Sequence, residues 1–86
     1  MITQDWNFGL TLEMPRGNCR SVTNVLEAVS VLEKEWPLSD GEEYREAKEA
    51  CRAALARRRS PYDAQKIFIR AAKEAGLYVM PKPHAP

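Results

Sequence analysis

The chain has 86 residues, 44% of them hydrophobic and 29% charged, with a formal net charge of +1. That length makes one domain whose core is small enough for apolar burial and chain entropy nearly to cancel. No apolar run approaches the roughly 20 residues of a membrane helix, and a near-neutral charge argues against a general polyanion binder.

The start, MITQDWNF, lacks the basic end and apolar block of an export signal. A cytoplasmic setting is therefore expected, with Cys19 and Cys51 as reduced thiols; a bridge between them is possible by arithmetic alone. The two cysteines offer neither metal-ligand spacing nor a disulfide framework.

From Trp6 to Met14 every even position is apolar and every odd one is not, the period of a strand with one buried face. Pro15-Arg16-Gly17 follows as a turn, proline in second position and glycine where a left-handed backbone is needed. Pairing Met14 with Asn18 sets Leu12 opposite Arg20, Leu10 opposite Val22, and Thr11 opposite Ser21. The expectation is a β-hairpin.

Asn24 opens the first helix, with Glu27 three residues on as the reaching partner of a capping box. Val25, Val29, Leu32 and Trp36 share a face that Ala28 widens, and Pro37 stops the helix at the tryptophan. Ser39 or Asp40 caps the second helix, whose inward stripe is Tyr44, Ala47, Cys51, Ala54 and Leu55. Glu42–Arg45, Arg45–Glu49 and Glu49–Arg52 are spaced to pair along its surface. Acidic residues at its start and Arg57, Arg58 and Arg59 at its end complement the helix dipole.

Ser60 caps the third helix, Pro61 takes its first position and Asp63 its first turn. Ala64, Phe68, Ala71 and Ala75 form the inner face, flanked by Ile67 and Ala72. Gly76 is the left-handed stop, with Leu77 folding back on Ala72. Leu77 to Met80 leaves room for a short third strand. The fold class is thus α+β, a hairpin followed by three helices (ββααα), in one domain over 1–80 with a flexible tail over 81–86.

Trp36, Pro37, Gly41 and Tyr44 cluster in the stretch EKEWPLSDGEEY. Both rings fall in phase with buried positions, so this is read as the joint between two helices rather than a stacking pocket for a base or sugar.

Taken together, Arg20-x-Val22, Glu27-Ala28, Leu32, Trp36-Pro37, Gly41, Tyr44, Ala47, Cys51, Ala54-Leu55, Ser60, Ala64, Phe68-Ile69, Ala71-Ala72 and Glu74-Ala75-Gly76 resemble the rhizobial domain of unknown function 982. The resemblance runs from about Trp6 to Val79. It implies a small stand-alone cytoplasmic protein and supplies no catalytic residue.

Catalysis is not expected, and neither a cofactor nor a metal is called for. The sole histidine, His84, lies in the tail, away from any cysteine or serine of the core. Cys51 faces inward as a small hydrophobe; Cys19 faces water, its reactivity an open question. Arg57-Arg58-Arg59 with Ser60, extended by Lys66, Arg70 and Lys73, is a candidate anion or nucleic-acid contact, weighed against a merely solvated helix end. Arg20, on the apolar side of the hairpin, calls for either a structural ion pair or a ligand carboxylate.

The preferred function is a non-enzymatic module that self-associates as a homodimer. It rests on the small core, an open hairpin edge and the alanine-rich faces of the second and third helices. A weak nucleic-acid or anion binder is the alternative, and no membrane partner is expected.

Overall fold

A computed structural model describes residues 5–15, 17–38 and 40–82, the side chains of residues 5, 7, 8, 81 and 82 excepted. The elements run β1 (Asp5–Glu13), β2 (Cys19–Asn24), α1 (Val25–Lys34), α2 (Glu42–Leu55), α3 (Pro61–Glu74) and β3 (Tyr78–Lys82). This is the expected α+β order, with the third strand present. All strands join one antiparallel sheet in the order β2-β1-β3, so β1 is central.

The alternation in β1 decides which way the sheet faces. Trp6, Leu10, Leu12 and Met14 are buried against the helices while Glu13 stays exposed. The hairpin register is the expected one, with Leu12 opposite Arg20, Leu10 opposite Val22 and Thr11 opposite Ser21. A shift between Asp5 and Leu10 bends the start of the strand. The turn closes with the Gly17 amide donating to the Met14 carbonyl at 2.9 Å and the Met14 amide to Asn18 at 2.7 Å. Gly17 takes a φ of 86°, where a Cβ would be strained. Arg16 lies outside the described residues.

β3 continues through Pro81 and Lys82, two residues further than the domain boundary expected at 80. Leu77 precedes the strand instead of starting it. It is the buried end of the α3 stop: its amide donates to Ala72 at 2.9 Å, beside Gly76 at a φ of 76°. His84 lies outside the described residues.

α1 begins as expected, the Glu27 amide donating to Asn24 Oδ1 at 2.8 Å. The Glu27 carboxylate, however, accepts from the Thr23 amide at 2.7 Å and the Thr23 hydroxyl at 2.9 Å, one residue before the cap. The helix ends at Lys34 with Glu35 as its cap, two residues short of Trp36. Proline disfavours helical geometry in its predecessor, and the effect here has spread one residue further. Val31 is buried where Val29 is only half-buried, because the face turns toward α2 as well as toward the sheet.

α1 and α3 lie on the sheet, and α2 packs against both, most extensively against α3. The molecule measures 34 × 33 × 18 Å, and the thin dimension matches one helical layer on one sheet. Small side chains make the α2–α3 approach close: Ala47, Ala50, Cys51, Ala54, Ala64, Ala71 and Ala72 have no exposure. Leu55, expected inside, is 39% exposed, while Ala50, outside the expected stripe, is buried. Phe68 is the largest fully buried side chain, worth about 1.5–3 kcal/mol of burial. Gln65 is also buried, a polar position that the apolar periodicity did not single out.

Candidate functional site

The joint between α1 and α2 is built from the aromatic residues outward. Tyr44 is buried, and its hydroxyl donates to the Leu32 carbonyl in the last turn of α1 at 2.9 Å. Trp36 is half-buried and stacks on Tyr44 with centroids 6.1 Å apart, then tilts against Phe68 at 5.4 Å. Trp6 meets the same phenylalanine at 5.4 Å. Lys48 Nζ stands 5.2 Å from the centroid of the Tyr44 ring. Buried at 7% exposure and stacked on Trp36, the tyrosine offers little ring surface to an intercalated base. The indole nitrogens of Trp6 and Trp36 and one Glu43 oxygen are buried without a hydrogen-bond partner among the described residues.

The start of α2 departs from the expected capping. Its cap is Gly41, which supplies no side-chain hydrogen bond; Asp40 stands one position before it, and Ser39 lies outside the described residues. Glu74, from the last turn of α3, does the work. Its carboxylate accepts from the Glu43 amide at 3.0 Å and the Tyr44 amide at 3.2 Å. Those are two of the donors that a helix start leaves free, and the carboxylate also meets the positive end of the dipole. Gly41 has an ordinary φ of −72°, so space rather than conformation demands glycine. A Cβ there would stand 2.6 Å from Glu74 Cδ and nearer still to Oε1.

Arg20 finds its partner in Glu35 at 2.6 Å, both side chains part-exposed. This is the structural ion pair of the two readings, worth at most about 1 kcal/mol in such a setting. On α2 the pair formed is Arg52 with Glu33 of α1 at 2.5 Å, in place of the three expected pairs within the helix. Arg52's hydrogen bond holds the Glu33 carboxyl below its usual range. The two thiols are free, Cys19 exposed and Cys51 buried. Burial alone pushes the Cys51 thiol up to about 12, which keeps it neutral and unreactive.

The arginine corner is divided by its backbone. The Arg57 amide donates to Ala54 at 3.0 Å and the Arg58 amide to Ala53 at 2.8 Å, the paired bonds of a helix stop that needs a left-handed residue. Arg57 occupies that position with a φ of 62°, where glycine is usual. The reversal returns Arg58 to α2, where it lines a groove of about 530 Å³ with Tyr44, Arg45, Lys48, Glu49, Arg52 and Ala53. Arg59 instead borders a shallower depression with Glu42, Arg45, Glu46 and Glu49. Ser60 is engaged as the α3 cap, accepting from the Tyr62 amide at 3.1 Å. Lys66, Arg70 and Lys73 are exposed on α3 and line neither depression. The basic residues that share a groove are thus those of α2, with Arg58, and not those of α3. The signal for the α2 groove is Arg45, Lys48 and Arg52 at helical spacing; from sequence, Arg45 and Arg52 are expected to pair within the helix and Lys48 has no assigned role.

Among the described residues no group of three or more His, Cys, Asp or Glu side chains is placed to hold a metal. None of the described helices is long and apolar enough to cross a membrane. No curated protein and no solved structure matches the chain. One family model does match, over residues 9–79, and its description is protein of unknown function (DUF982).

Proposed function

The chain belongs to the DUF982 family of proteins of unknown function, and on that premise we propose that it is a non-enzymatic cytoplasmic interaction module that pairs with a second copy of itself through the outer face of its sheet. The observation that carries this reading is that the helices cover one face of the sheet only. On the other, Tyr78 is 62% and Met80 39% exposed.

Register aligns the outer face in rows: Cys19, Glu13 and Tyr78; Ser21, Thr11 and Met80; then Gly9 with Lys82. Glu13 is the one acidic position in these rows and stands at one end, and the row of Ser21, Thr11 and Met80 carries no charge. A two-fold contact sets a face against its own copy. Crossed end to end, it sets the uncharged middle rows together with no like-charge penalty and keeps the two Glu13 carboxylates apart.

The routes first expected are less open. The alanine faces of α2 and α3 are buried against each other. Pro81 in edge strand β3 has no amide to offer a further strand, and Glu27 occupies the Thr23 amide of edge strand β2. Face contact is what remains.

A non-enzymatic role is in keeping with how the reactive groups are used. Cys51 is held neutral, and Glu27, Glu33, Glu35 and Glu74 are each engaged in a cap or an ion pair.

Light scattering on the eluted protein tests the pairing. The mass should rise from 9.8 kDa toward twice that value as concentration increases, and Tyr78→Glu with Met80→Glu should hold it at one chain. A single-chain mass at millimolar concentration ends the proposal.

A further inference from the structure

The groove on α2 lies on the helical layer, away from the uncovered sheet, and has its own electrostatics. Among its lining residues are four cations, Arg45, Lys48, Arg52 and Arg58, and one carboxylate, Glu49. Only Arg52 is in an ion pair, with Glu33; Arg45 and Arg58 have no carboxylate within pairing distance among the described residues. Unpaired guanidinium groups facing one depression repel each other, and an anion that bridges them relieves this. Arginine's planar fork suits the oxygens of phosphate in particular.

Two features decide the kind of anion. Arg45, Lys48 and Arg52 follow spacings of three and four on one helical face, so their charges are spread over about 10 Å at 1.5 Å per residue. That exceeds one phosphate and suits a short chain of them. The groove's volume of about 530 Å³ falls within the range of small-ligand sites. Tyr44, buried at 7% exposure and stacked on Trp36, has little ring surface to give a nucleobase. Recognition is thereby left to the phosphates.

We propose that the α2 groove bounded by Arg45, Lys48, Arg52 and Arg58 is a binding site for a compact polyphosphate group, of the di- or triphosphate class. Arg58 completes the site because the left-handed turn at Arg57 returns the chain to α2, so the site depends on a backbone reversal as well as on charge. It is independent of self-association.

Inorganic triphosphate is the probe, titrated into the intact protein by calorimetry and by amide-resonance mapping in low salt. Saturable binding is expected, with shifts confined to residues 44–53 and 58. Orthophosphate should bind at least tenfold more weakly, and a nucleoside triphosphate within about threefold of the inorganic probe. The variant Arg45→Gln with Arg58→Gln, both at exposed positions, should lose at least tenfold. Lys66→Gln with Lys73→Gln removes the same charge elsewhere and should change affinity less than twofold. Equal losses from the two double variants would reduce the effect to net charge and overturn the site. Absence of saturable binding would overturn it too, as would tighter binding of a single-stranded oligonucleotide than of triphosphate. Circular dichroism on each variant confirms that the fold is retained, and mapping of the folded variant reads the site directly.

Discussion

Replacing Gly41 by alanine tests how the start of α2 is held. The new Cβ would fall where the Glu74 carboxylate now sits, and a side-chain end yields before backbone does. Glu74 would swing out, leaving the Glu43 and Tyr44 amides, now bound at 3.0 and 3.2 Å, without their acceptor. Loss of a helix-capping side chain costs about 0.5–2 kcal/mol. Glu74 is exposed, so water recovers part of that, while alanine is itself a poorer cap than glycine. The expected loss is about 1–2 kcal/mol, which in a domain of this size lowers Tm by roughly 5–15 °C. Glu74→Ala should cost about 1 kcal/mol for the same reason. The double variant should then be hardly worse than Gly41→Ala alone, since both changes remove one interaction. Urea unfolding of the four proteins measures this cycle. Additive losses, or a Gly41→Ala protein within 0.3 kcal/mol of the parent (about the error of such cycles), would refute the account.

Two further outcomes follow from single residues. Arg57→Gly should stabilise the protein by about 0.5–1 kcal/mol, because the left-handed φ of 62° costs a residue with a Cβ about 1–2 kcal/mol and glycine's extra unfolded freedom returns part of it; the readout is a higher urea midpoint at unchanged slope. The Cys51 thiol, ordinarily near 9 and raised to about 12 by burial, stays protonated in the folded chain while the unfolded chain releases its proton. Stability should therefore fall as pH rises between about 9 and 12, with no contribution below that window, and Cys51→Ala should remove this part of the slope. In native protein at pH 8 a thiol reagent should label Cys19 alone, and both cysteines only after unfolding.

Much of the fold was legible because the signals were local. The alternation from Trp6 to Met14, the Pro15–Gly17 turn, the Ser60-Pro61 start and the Gly76 stop each depend on neighbours within a few residues, and each stands where expected. The misses depended on partners far along the chain. Nothing near Gly41 announces that its cap comes from residue 74. Arg52 was assigned to its own helix because Glu33 is distant in sequence although adjacent in space. Phase puts Leu55 inside, but it is the last residue of α2, where the helix frays, and it is 39% exposed. The arginine run was visible as composition. Its division, with Arg57 turning the chain and Arg58 and Arg59 facing different depressions, follows from a backbone angle that composition does not encode.

Several residues of the family-like pattern turn out to belong to one mechanical assembly. Gly41 makes room for Glu74, Glu74 holds the start of α2, Tyr44 ties that start to α1, and Trp36 lies across the tyrosine. That cluster accounts for its residue types without any substrate, and the outer sheet face lies elsewhere on the molecule.

The sheet order has a consequence for synthesis. Of these elements β1 leaves the ribosome before the others, yet its second neighbour, β3, follows all three helices, with Glu13 pairing with Tyr78 and Gly9 with Lys82. Until then the central strand waits with one side bare and its apolar residues only partly sheltered, a state prone to sticking to other nascent chains. The proline in β3 protects the finished sheet but does nothing for that interval. Premature stops before Tyr78 should consequently produce insoluble fragments rather than a slightly weaker domain.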